Sequence, residues 1–70
     1  MMIENNIRKP LLEDMMKSLY YLKEKQHISK GEFHKFLSSE YGVYSIEEKD
    51  NKLICYQEID GKSIRTSIII

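Results

Sequence analysis

Seventy residues with eleven Lys plus Arg against eleven Asp plus Glu carry no formal net charge, so no bulk field draws nucleic acid or anionic lipid to the chain. A chain this short buries only roughly 60% of its unfolded surface, which predicts one small domain and excludes a deep active-site cleft beside the core. A hydrophobic content of 41%, with five Tyr and two Phe, excludes a disordered chain.

The single cysteine, Cys55, cannot form an intramolecular bridge, and a small secreted domain would normally need several. A reducing, cytoplasmic compartment is the expectation. No apolar run approaches the ~18 residues of a membrane span, and no secretory h-region stands at the N-terminus, so no membrane partner is expected.

Residues 1–9 are polar and aperiodic, with Ile3 and Ile7 as isolated apolar positions, and read as a flexible arm ahead of one domain over residues 10–70. Pro10 suits the first turn of a helix, and Glu13 and Asp14 complement its positive end. Leu11, Leu12, Met15, Met16, Leu19 and Leu22 make one apolar stripe, which predicts a helix over 10–26. Ser29-Lys30-Gly31-Glu32 matches a capping box, with Ile28 and Phe33 at the hydrophobic staple positions. A second helix therefore starts at Lys30 and ends near Tyr41, with Gly42 placed to take a left-handed conformation. Phe33, Phe36, Leu37 and Tyr41 form its expected buried side, and Lys30, His34, Lys35, Ser38 and Ser39 the other.

The remaining chain reads as three strands joined by two turn signals, Asp50-Asn51 and Asp60-Gly61. If both are two-residue turns, Ile59 faces Lys62, Gln57 faces Ile64, Cys55 faces Thr66 and Leu53 faces Ile68. The first turn likewise sets Glu48 against Leu53, Ile46 against Cys55 and Tyr44 against Gln57. Directly opposed residues share a sheet face, so Tyr44, Ile46, Leu53, Cys55, Ile59, Ile64 and Ile68 fall on one side. Ser45, Glu47, Ile54, Tyr56, Glu58, Ser63, Arg65, Ser67 and Ile69 fall on the other, wetter side. The expected fold class is α+β: a two-helix hairpin packed on one face of a three-stranded antiparallel meander, in the order α-α-β-β-β.

No motif in the chain carries catalytic chemistry. His27, His34 and Cys55 have no metal or nucleophile spacing, so neither a metal nor a cofactor is expected. Cys55 falls on the core face, where cysteine behaves as a small hydrophobe. Adjacent acids at Glu13-Asp14 and Glu47-Glu48 point apart and cannot share a proton. The expectation is a protein that is not an enzyme.

Two binding readings follow from the exposed residues. Lys62 to Ile70 is an edge strand whose final residues, Ser67-Ile68-Ile69-Ile70, carry no side-chain charge, whereas edges are usually blunted by Lys, Pro or a bulge. Together with Ile54, Tyr56 and Arg65 on the wetter face, Ser67, Ile69 and Ile70 make the expected contact surface for a protein partner or for a second copy paired edge to edge. Free-standing chains of this size often serve as regulators, adaptors or inhibitors, including those of phages and other mobile elements, which is an association with size. The alternative is a nucleic-acid regulator. Helix, turn, capped helix and hairpin resemble the winged helix-turn-helix in layout, with Leu11 to Tyr41 similar to its first two helices, and the exposed Lys30, His34, Lys35, Lys62 and Arg65 are then the expected phosphate contacts. Between Gly42 and the first strand, however, there is no room for a third, recognition helix.

Overall fold

The computed structural model describes residues 10–70; the expected arm over residues 1–9 lies outside the described residues. Helices α1 (Leu12–Glu24) and α2 (Lys30–Tyr41) precede strands β1 (Val43–Lys49), β2 (Lys52–Ile59) and β3 (Lys62–Ile69). The strands form one antiparallel sheet in the order β1-β2-β3, with α1 packed on β3 and α2 on β1. The fold is the expected α-α-β-β-β layout.

Helix α2 is built as its sequence prescribes. The Ser29 hydroxyl accepts the Glu32 amide at 3.0 Å, the Glu32 carboxylate accepts the Ser29 amide at 2.8 Å, and Gly42 closes the helix at φ 67°. Helix α1 is shorter than the apolar stripe suggests. It begins after Leu11, which is 71% exposed, and ends in a Schellman motif: the His27 amide donates to the Leu22 carbonyl and the Gln26 amide to that of Lys23. Gln26 takes the left-handed position at φ 63°, where glycine is usual.

Both hairpin turns have positive φ at their two central residues, at Asp50 and Asn51 and again at Asp60 and Gly61, as type I′ geometry requires. Between β2 and β3 every expected pair is present, from Ile59 opposite Lys62 to Leu53 opposite Ile68. Between β1 and β2 the register holds from Glu48 to Ile46 and then shifts. Val43, not Tyr44, stands opposite Gln57, and a bulge intervenes before Ser45 opposite Tyr56. Gly42 is the sole link from α2 to β1, so the chain enters the sheet directly beneath the helix, where small Val43 is buried. The extra residue restores the register set by the turn and swings Tyr44 onto the open face.

Leu12, Met16, Leu19, Phe33, Leu37, Val43, Leu53, Cys55 and Ile68 form the core, flanked by Met15, Tyr20, Leu22, Ile28, Tyr41 and Ile46. Ile59 and Ile64 share the helix-side face but are about two-fifths exposed. Eight-residue strands span ~27 Å and a thirteen-residue helix only ~20 Å, so the second hairpin extends past its cover. Phe36 also departs from expectation and is partly exposed, because the inward row of α2 is Phe33 and Leu37, four residues apart. Beside the core, Lys23 binds Glu48 at 3.1 Å and lies 4.6 Å from the Tyr20 ring centre, tying the end of α1 to β1.

Candidate functional site

The backbone of β3 defines the site. The Ile70 amide donates to the Asn51 carbonyl at 2.9 Å, which carries the ladder one residue beyond the strand. In an antiparallel pair, alternate residues direct both backbone groups to the same side. With Ile70 bonded inward, Ile68, Thr66, Ile64 and Lys62 also bond to β2, and the N–H and C=O of Ser63, Arg65, Ser67 and Ile69 turn outward. Four consecutive outward positions thus form an open ladder edge over seven residues.

The two edges of the sheet are unlike. β1 is broken by the bulge at Tyr44 and carries Glu47, Glu48 and Lys49, both of which discourage strand pairing. β3 pairs with β2 through eight residues without interruption and contains neither proline nor bulge. Beside its last residues a trough of about 260 Å³ lies against α1, lined by Lys17, Tyr20, Tyr21, Ile68, Ile69 and Ile70. A second depression shares Lys17, Ile68 and Ile69 and continues past Glu13 and Ser67. Ile69 is 81% exposed and Ile70 39%.

Of the residues expected to contact a protein partner, Arg65, Ser67, Ile69 and Ile70 lie together along this edge. Ile54 does not serve: it is 2% exposed at the middle of the central strand, between its register partners Glu47 and Ser67. Tyr56 is half-buried. Its ring packs on Tyr44 at 6.3 Å and its hydroxyl donates to Glu47 at 3.4 Å, while the Tyr44 hydroxyl bonds that of Ser63 at 2.8 Å. Arg65 stands opposite Tyr56 in the register, yet it is Tyr44 that packs on that ring, because the bulge delivers it to this face. Arg65 is exposed, with neither an ion pair nor a ring contact among the described residues.

The residues expected to touch phosphate are divided between two faces. Lys30, His34 and Lys35 belong to α2, on the helix side of β1, whereas Arg65 is opposite Tyr56 on the open face and Lys62 is at the hairpin tip. His34 lies against the Phe33 ring, and burial, followed by the charges of Lys30 and Lys23, lowers its pKa below the ordinary histidine range. That shift disfavours its charged form and so weakens it as a phosphate contact.

Burial pushes the Cys55 thiol up to about 11, which suppresses the thiolate. A depression of about 480 Å³ lies at the α1–α2 turn, around Lys23, His27, Ser29 and Glu32, where the Ser29 hydroxyl and the Glu32 carboxylate are engaged in the helix cap. Among the described residues no group of three or more His, Cys, Asp or Glu is placed to hold a metal ion, and no helix is long and apolar enough to cross a membrane. Compared with known proteins, the chain matches no family model, no curated protein and no solved structure.

Proposed function

We propose that this chain is a small non-enzymatic protein-binding module that works by occupying a partner's surface through the outer edge of β3 and the trough beside α1. The observation that carries the reading is the open ladder of Ser63, Arg65, Ser67 and Ile69 beside an isoleucine that is 81% exposed. Unpaired N–H and C=O groups supply main-chain affinity to any strand that aligns with them, and adjoining apolar side chains supply burial. The difference between the two edges adds support, since β1 is bulged and carries three successive charges, whereas β3 is unbulged and uncharged over Ser67 to Ile69. A nucleic-acid role has less support: the candidate cations are split between faces and the chain has no net charge.

The test places a photo-crosslinking side chain at position 69 and, separately, at position 35 on α2, and exposes the cells to light. Partner adducts at 69 and none at 35 are expected, and adducts confined to 35 refute the reading. In parallel, labelled mixed-sequence DNA and RNA are titrated with the purified protein at low and physiological salt. Binding that falls steeply with salt and is lost in a Lys30→Glu, Lys35→Glu variant would overturn the proposal in favour of phosphate contact.

A further inference from the structure

The outer edge of β3 is left open by the helix layer. Tyr20 and Lys23 of α1 reach Glu48 on β1, while Lys17 and Tyr21 face Ile68, Ile69 and Ile70, so α1 spans the sheet and the ladder from Ser63 to Ile69 stays uncovered at its side.

Charge selects the occupant. β3 holds two cations, Lys62 and Arg65, and no acid, so a second copy would bring like charges to the same edge. Arg65 is exposed and unengaged among the described residues, on the side away from the helices. On the helix side, Ile64, about two-fifths exposed, and Ile68 alternate with it, and Ile68 borders the trough with Tyr20 and Tyr21.

From these relations we infer that β3 takes an extended peptide segment of another protein as a fourth, antiparallel strand. That segment is apolar at alternate positions facing Ile64 and Ile68, and has Asp or Glu opposite Arg65. The inference rests on the proposed role of the β3 edge and specifies its ligand. Backbone recognition covers Ser63 to Ile69, and the side-chain alternation follows from the two-residue period of a strand.

A library of random seven-residue peptides displayed on phage, selected against the purified full chain, tests this directly. Enriched sequences should alternate apolar residues with an acid at one fixed polar position, and an Arg65→Glu variant should change that acid to Lys or Arg. N-methylation of a single ladder amide in the enriched peptide should weaken binding at least about fivefold, the worth of one backbone hydrogen bond. Ile69→Lys, on an exposed side chain, should reduce binding while leaving the circular dichroism unchanged. Enrichment without alternation, or insensitivity to N-methylation, overturns strand addition. If no peptide is enriched and sedimentation shows a dimer abolished by Ile69→Lys, the occupant is a second copy: the inference fails and the contact surface stands. No enrichment from a chain that stays monomeric, with no adducts at position 69, removes both.

Discussion

The side-chain amide of Gln57 donates to the Tyr41 carbonyl at 2.7 Å, joining the buried face of β2 to the last turn of α2. Helix ends leave carbonyls without intrahelical donors, and here the sheet supplies one. Gln57→Leu keeps most of the volume and removes the donor. It should lower stability by about 1–3 kcal/mol, read as a fall in the urea midpoint with an unchanged slope.

Gln26 holds the left-handed C′ position of α1 with a side chain that has no preference for it, whereas Gly42 fills the equivalent place after α2. Gln26→Gly should therefore stabilise the protein by about 1 kcal/mol through relief of the left-handed penalty. Gly61→Ala, at φ 79°, should cost a similar amount. Thermal unfolding of the two variants should shift the melting temperature in opposite directions.

At the start of α2, the Ser29 amide and then its hydroxyl hold the Glu32 carboxyl below the usual carboxylate range. A depressed folded pKa gives stability that is present above the unfolded value near ~4.3 and is lost as pH falls through the folded value. Glu32→Gln should flatten the decline in stability between pH 5 and pH 3. Ser29→Ala should cost about 1 kcal/mol at neutral pH, measured by denaturant titration.

Cys55 offers a probe of opening. With its thiol pushed to about 11 by burial, about one molecule in a thousand carries thiolate at pH 8 in the folded state. Labelling by an aromatic disulfide should be slow in buffer and become rapid across the unfolding transition. Fast stoichiometric labelling of the native protein would contradict the buried placement.

Much of this fold was legible because its signals are local. The capping box needs four residues, each hairpin turn needs two, and the apolar stripe of α1 repeats within a few turns. Tyr44 was misassigned because the bulge answers a conflict between two separate constraints, the single-residue link from α2 and the register fixed by Asp50 and Asn51. Neither constraint is visible at Tyr44 itself. Ile59 and Ile64 follow the correct alternation, yet their exposure depends on the relative lengths of strand and helix. The Schellman end at Gln26 has no glycine to announce it. At the candidate site, Arg65, Ser67, Ile69 and Ile70 followed from register alone. The burial of Ile54 and the Tyr44–Tyr56 contact required the assembled sheet, and the trough required the position of α1.

The bulge in β1 also limits how far association can extend. Sheets with two receptive edges grow by repeated addition, as filaments do, because every newcomer presents a fresh template. Here the far side of the sheet is kinked at Tyr44 and lined by Glu47, Glu48 and Lys49, which disfavours pairing with a further strand. On the proposed use of the β3 edge, the domain would therefore end a growing sheet instead of extending it.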